Sequence, residues 1–200
     1  MNAATNRIVI ASGNEGKVRE IGSIFENLNI EIVKQAELNI ASVPETGSTF
    51  VDNALIKARH AARQSGLPAI ADDSGLVVDA LDGRPGVLSA RYAGPAASDD
   101  DNVEKLLEEL ADVSGDERSA HYECAAVWVS PDETVLPLIA EGQWHGRIIH
   151  QRRGDSGFGY DPVFLDTAVN KTGAEMSMEE KNRQSHRGKA FRRLRDLLSR

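Results

Sequence analysis

Two runs of strand-forming residues, Ala120–Val129 and Val135–Trp144, are separated only by Ser130–Thr134. So short a connection points to a β-hairpin, because a parallel return needs a crossover of about a dozen residues or more. The rest of the chain alternates strand and helix. Arg7–Ser12 reads as a short buried strand, and from Lys17 the period changes, with Val18, Ile21, Ile24 and Leu28 on one helical face. Ile30–Val33 alternates like a strand. Thr49 and Asp52 form a capping pattern that predicts a helix to about Gln64, with Phe50, Ala54, Ala58 and Ala61 facing inward. Pro68–Ala71 and Leu76–Ala80 read as two strand pieces divided by the turn-like Asp72-Asp73-Ser74-Gly75.

Asp82–Gly86 is turn chemistry, and Ser98 opens a second capping box ahead of Asn102–Leu110. Ser177 opens a short helix, and a last helix from about Lys189 buries Phe191, Leu194, Leu197 and Leu198. The pattern predicts an α/β fold with a central mixed β-sheet and flanking helices. Without a repeat or linker, residues 1–200 read as a single domain.

Composition excludes several classes. The one cysteine, Cys124, forbids an intramolecular disulfide framework and suits a reducing cytoplasm. Apolar runs such as Ala125–Val129 fall far short of the roughly 18–20 residues of a membrane span. The N-terminus lacks the form of a secretory signal. These features predict a cytoplasmic protein with no membrane partner.

The net charge is −8 and unevenly distributed: residues 181–200 hold eight Lys/Arg against one Asp. An acidic body repels nucleic-acid phosphates over most of its surface, so no nucleic-acid partner is expected. The basic end suits a small anionic ligand, or is simply a solvated helix.

Four constellations could carry chemistry. Ser12-Gly13-Asn14-Glu15-Gly16-Lys17 is a strand–glycine loop–helix junction ending in a cation. Amides at a helix N-terminus attract phosphate, although an ordinary strand–helix turn has the same pattern, and the spacing is not that of a P-loop. Glu45, Asp72 and Asp73 supply carboxylates that could converge at a strand-to-glycine turn and suit Mg²⁺; a turn bonding its own backbone is the alternative. Gly157-Phe158-Gly159-Tyr160-Asp161-Pro162 offers aromatics and an acid among glycines, either to stack on a base or to anchor the loop. Lys181 with Ser185-His186-Arg187-Gly188 concentrates donors for phosphate or a carbonyl, or forms a helix junction with surface cations. His60, His121, His145 and His150 lack zinc spacing, and Ser74 lacks a triad context.

Taken in order, these segments closely resemble the non-canonical purine nucleoside triphosphate pyrophosphatases, the inosine/xanthosine triphosphate pyrophosphatase family in its bacterial form. The matching residues are Ser12–Lys17, Glu45-Thr46-Gly47 to Phe50, Asn53-Ala54, Ala71–Leu76, Gly83–Gly86, Ser89–Tyr92, Gly157–Pro162 and Ser185–Gly188. The resemblance implies hydrolysis of XTP, ITP and dITP to the monophosphate and pyrophosphate, a requirement for Mg²⁺, and a homodimer. It implies a two-lobed fold with the nucleotide in a cleft between lobes.

Carried over, Ser12, Gly13, Asn14, Glu15, Gly16 and Lys17 hold the triphosphate. Glu45 and Asp73, helped by Asp72, hold metal; Asp73 is also the proton acceptor, and Ser74 contacts substrate. Phe158, Gly159, Tyr160 and Asp161 receive the base, with Lys181, His186 and Arg187 completing its pocket. Three departures stand out: Ser12 replaces a frequent Thr, Pro44 a frequent acid, and Asp155-Ser156 a more glycine-rich approach to Gly157. The competing reading is a non-catalytic purine-nucleotide-binding regulatory module, which could dispense with the three acids.

Overall fold

The computed structural model describes residues 7–26 and 30–199. The first strand, β1 (Arg7–Ile10), leads into α1 (Glu15–Phe25) and β2 (Glu31–Lys34), and then α2 (Phe50–Ser65) and β3 (Ala69–Val78). After α3 (Asp99–Glu109) come β4 (Ser119–Val129) and β5 (Leu138–Ile148). Short strands β6 (Phe164–Asp166) and β7 (Lys171–Thr172) precede α4 (Met178–Gln184) and α5 (His186–Leu198). The strands form one sheet in the order β2-β1-β3-β4-β5-β6-β7. It is mixed, as expected: β1 runs parallel to β2 and β3, while β6 runs antiparallel to β5 and β7.

Most helix boundaries follow from local chemistry. Thr49 Oγ1 accepts the Asp52 amide at 3.1 Å, and Gly66, with φ +67°, closes α2 in the left-handed conformation that glycine adopts without a Cβ penalty. Ser98 and Ser177 form full capping boxes with Asp101 and Glu180. The first helix starts at Glu15, two residues ahead of expectation, because the Asn14 side chain caps it by accepting the Lys17 amide at 3.0 Å. Leu28, assigned to that helix's apolar face, lies outside the described residues. The second strand of the 120–148 region starts at Leu138 instead of Val135, since Pro137 cannot donate to a ladder. The largest correction concerns Asp72-Asp73-Ser74-Gly75. These residues form no turn; they lie inside the ten-residue strand β3.

The chain divides into two compact units. The first comprises Met1–Asp73, Cys124–Gly142 and Arg187–Arg200. Its strands carry apolar residues on both faces, as a parallel region must. On one face Ile8, Ile10 and Ile70 pack with Val18, Ile21 and Phe25 of α1 and Phe191 and Leu194 of α5. On the other, Val9, Ala11, Ala69 and Ala71 pack against Ala54, Ala58, Ala61 and Ala62 of α2. Small residues on both sides bring helix and strand backbones close, so enlarging buried Ala58 would cost about 1–3 kcal/mol by overpacking. That close approach also lets short polar side chains on α2 reach the strand.

The second unit comprises Ser74–Glu123 and Gln143–His186. Its core joins Leu76, Val103, Leu106, Leu110, Tyr122, Trp144 and Phe164. Buried Trp144 satisfies its indole N–H by donating to Asp166 Oδ2 at 2.8 Å. No helix among the described residues is long and apolar enough to cross a membrane.

Candidate active site

Successive residues of a strand point to opposite faces of its sheet. Asp72 and Asp73, adjacent in β3, are therefore separated, although both are buried. Asp73 faces α2, where its Oδ2 accepts from Asn53 Nδ2 at 3.0 Å and its Oδ1 lies 3.5 Å from Lys57 Nζ. The same ammonium lies 2.6 Å from Glu45 Oε1. Lys57 thus brings Glu45 and Asp73 together. Asn53 and Lys57, one helical turn apart on α2, had no role in the sequence reading. The available signal was an Asn and a Lys at i, i+4 beside an inward alanine stripe.

Asp72 faces the opposite helices. Its Oδ2 is 3.0 Å from Lys17 Nζ of α1 and 3.1 Å from Arg187 Nε of α5. Arg187 in turn pairs with Glu20 through Nη1 at 2.6 Å. Four alternating charges, Lys17, Asp72, Arg187 and Glu20, thus form one largely buried chain, in which Glu20 is another residue the sequence reading missed. The structure does not bring Asp72 together with Glu45 and Asp73. It also directs the Arg187 guanidinium into this ion-pair chain.

The two faces treat their acids oppositely. Burial alone would raise the pKa of Asp72, but Lys17 and Arg187 outweigh it and hold the carboxyl well below the usual range. For Asp73 burial wins: its pKa is raised despite Lys57 and Lys17, with the Glu45 charge adding to the rise. Burial opposes the charge on Lys57, yet Asp73, Asp72 and Glu45 raise its pKa on balance.

Residues 12–14 lie between β1 and α1, and Glu15–Lys17 form the first turn of that helix. Ser12 Oγ accepts the Asn14 amide at 3.2 Å, while Gly13, Asn14 and Glu15 are exposed and Gly16 and Lys17 half-buried. Glu15 pairs at the surface with Lys34. Exposed backbone at the start of an eleven-residue helix suits phosphate oxygens.

In the second unit, Asp161 organises a separate cluster. Its Oδ2 is 2.5 Å from Lys181 Nζ and accepts the Phe158 amide at 2.9 Å. Lys181 Nζ lies 4.6 Å from the Phe158 ring centroid, a cation–π distance. Glycine is required around the carboxylate: a Cβ on Gly157 would lie 2.2 Å from Asp161 Oδ2, and one on Gly173 2.6 Å from Oδ1. Tyr160 is buried and donates its hydroxyl to the Ser89 carbonyl at 2.9 Å, so it anchors the loop. Gly159 has φ +60° and its amide donates to Asp99 at 2.7 Å. His186 stacks on Tyr122, ring centroids 4.6 Å apart and 7° from parallel. Ser74 is half-buried at the start of this unit.

Among the described residues no three His, Cys, Asp or Glu side chains gather as a ready metal cage. Mg²⁺ does not need one: it commonly takes one or two carboxylates and fills its remaining positions with substrate phosphate and water. Glu45 and Asp73, oxygen donors already converging on a single cation, fit that requirement.

A family model described as the Ham1 family matches residues 8–197. The dITP/XTP pyrophosphatase of Methylococcus capsulatus is 58% identical over 184 residues, covering 92% of this chain and 92% of that protein. That of Pectobacterium atrosepticum is 52% identical over 192 residues, covering 96% and 98%. Among solved structures, a HAM1 protein from Coxiella burnetii superposes with a TM-score of 0.89 at 45% identity, covering 96% of this chain and 98% of that one.

Proposed function

The chain belongs to the Ham1 family, and on that premise we propose that it hydrolyses non-canonical purine nucleoside triphosphates, XTP, ITP and dITP, to the monophosphate and pyrophosphate. The observation that carries this reading is the Glu45–Lys57–Asp73 cluster at the inner side of α2. A non-catalytic nucleotide binder has no need to hold two acids around one half-buried cation.

Glu45 and Asp73 would hold Mg²⁺, which when bound offsets triphosphate charge and orients it. Asp73 would take a proton from water attacking the α-phosphorus, and burial, which raises its pKa from the ordinary carboxylate value, makes it a stronger base. The α-phosphorus gains the water oxygen as its bond to the α,β-bridging oxygen breaks, and pyrophosphate leaves. The loop and helix start at residues 12–16, together with the Lys17 ammonium, would bind phosphate oxygens and stabilise the charge on that leaving group. Asp72 would act through Lys17, to which it is paired, and not as a metal ligand.

In the second unit, Phe158 would stack on the base, and Lys181 and His186 would supply donors to its 6-keto oxygen. Adenine has an amino donor at that position, so donors there disfavour it. Arg187, engaged by Asp72 and Glu20, would brace the phosphate-binding cation. The homodimer and cytoplasmic setting expected from the sequence belong to the same proposal; sedimentation across a range of concentrations tests the first.

The deciding assay measures pyrophosphate release from XTP, ITP, dITP, GTP and ATP with and without Mg²⁺. Metal-dependent release concentrated on the first three supports the proposal. A flat substrate profile, or activity indifferent to Mg²⁺, opposes it.

A further inference from the structure

Asn53 is fully buried, and both ends of its amide are committed. Its Oδ1 accepts the Gly47 N–H at 2.8 Å, and its Nδ2 donates to Asp73 Oδ2 at 3.0 Å. The orientation of the amide is forced: a backbone N–H needs an acceptor, so the opposite end presents its donor to the carboxylate. Gly47 lies two residues after Glu45, and a Cβ there would come within 2.8 Å of Asn53 Oδ1 and 2.5 Å of Asp52 Cβ. The loop carrying Glu45 can approach α2 this closely only through glycine.

We propose that Asn53 is a positioning residue that sets the geometry of Glu45 and Asp73 together, an inference that rests on the pyrophosphatase reading for its kinetic consequence. By binding Oδ2 of Asp73, Asn53 fixes the carboxylate plane and leaves Oδ1 on the Lys57 side, toward Glu45. By binding Gly47, it ties the Glu45 loop to the same helical turn. No other side chain of this length does both. Aspartate keeps an acceptor for Gly47 but loses the donor and brings a like charge to Asp73; alanine and leucine lose both bonds. Because Asn53 is neutral, it orients Asp73 without neutralising it, whereas Lys57 supplies the charge.

Partners that orient a metal-holding group typically contribute 10–100-fold in metal affinity or activity. The test compares the whole chain with Asn53→Ala and Asn53→Asp, measuring steady-state kinetics with XTP, Mn²⁺ binding without nucleotide by electron paramagnetic resonance, and thermal midpoints. Asn53→Ala is expected to lower kcat about 10–100-fold with KM within about threefold, and to weaken Mn²⁺ binding by a similar factor. Asn53→Asp is expected to lose kcat while keeping Mn²⁺ affinity at or above that of the parent, because it adds charge but removes the donor. That split between rate and metal affinity is not produced by a residue that merely packs.

Parental kcat and Mn²⁺ affinity in both variants would overturn the proposal, even alongside a lower thermal midpoint. Should Asn53→Ala fail to fold, Asn53→Asp decides: reduced kcat with retained Mn²⁺ binding supports it, and parental kcat overturns it. If the parent protein itself releases no pyrophosphate, the pyrophosphatase reading fails. Mn²⁺ affinity of Asn53→Ala then decides alone: weakened binding supports the positioning role and unchanged binding overturns it.

Discussion

Asp72 and Asp73 are neighbours in one strand yet make their contacts on opposite faces of the sheet. Asp72 accepts Lys17 at 3.0 Å on the α1/α5 face, and Asp73 accepts Asn53 at 3.0 Å on the α2 face. One residue of displacement along a strand turns a side chain to the other side of the sheet. On the proposed function the pair divides the work: one acid would brace a phosphate-binding cation, and the other would take the proton.

The two acids should therefore fail differently when neutralised. Asp73→Asn is expected to lower kcat by about 10²–10⁴, the usual contribution of general base catalysis, and to leave folding nearly intact. Asp72→Asn leaves Lys17 and Arg187 facing a neutral amide, and breaking a buried pair on one side costs about 3–5 kcal/mol. Chemical denaturation and steady-state kinetics on both variants check this. Equal effects on stability would contradict the division.

Lys57 occupies the place between two acids where a cation is needed. Lys57→Met leaves Glu45 and Asp73 repelling one another, so the variant should have a lower thermal midpoint than the parent in metal-free buffer. Mg²⁺ should raise the midpoint more in the variant than in the parent, since the ion replaces the missing charge. Differential scanning calorimetry with and without Mg²⁺ measures both effects.

The Asp161 cradle predicts a binding defect. Gly173→Ala places a Cβ 2.6 Å from Asp161 Oδ1, forcing the carboxylate away from Lys181. Stability should fall by about 1–3 kcal/mol from overpacking. KM for XTP should rise about tenfold with a smaller change in kcat, because base recognition is disturbed and the acid pair is not. Initial-rate measurements over a wide range of XTP concentrations resolve the two.

Alkaline stability should depend on Tyr92. Burial, together with hydrogen bonding to the Glu109 carboxylate and its charge, pushes the phenol up to about 12. The folded chain keeps a proton that the unfolded chain releases near pH 10, so this contribution is complete below about pH 10 and is lost as pH rises toward 12. Tyr92→Phe should show a shallower loss of stability over that interval, followed by denaturant midpoints at stepped pH.

Features governed by near neighbours in the chain were legible from sequence. The caps at Thr49, Ser98 and Ser177 need only residues three positions away, and the glycine loops at 12–17 and 157–161 announce themselves by composition. The continuity of β3 was not legible. Asp-Asp-Ser-Gly has local turn chemistry, and it lies extended here because Lys17, Lys57 and Arg187 arrive from three separate helices to pair its acids. Once the strand is continuous, alternation separates Asp72 from Asp73, so the expected convergence of the acids shared that error. Asn53 entered only as part of the matching motif and Lys57 not at all, because their importance lies in what they face on β3. Strands β6 and β7, three and two residues long, are too short to show a period.

Phosphorus-31 NMR of XTP turnover in ¹⁸O-enriched water with Mg²⁺, using the parent protein and Asp73→Asn, follows both the bond cleaved and the role of Asp73. The parent is expected to yield XMP and pyrophosphate, with the solvent oxygen in XMP, and Asp73→Asn scarcely to turn over. Orthophosphate and XDP as products, solvent oxygen in pyrophosphate, or an undiminished rate in Asp73→Asn would contradict the proposed function.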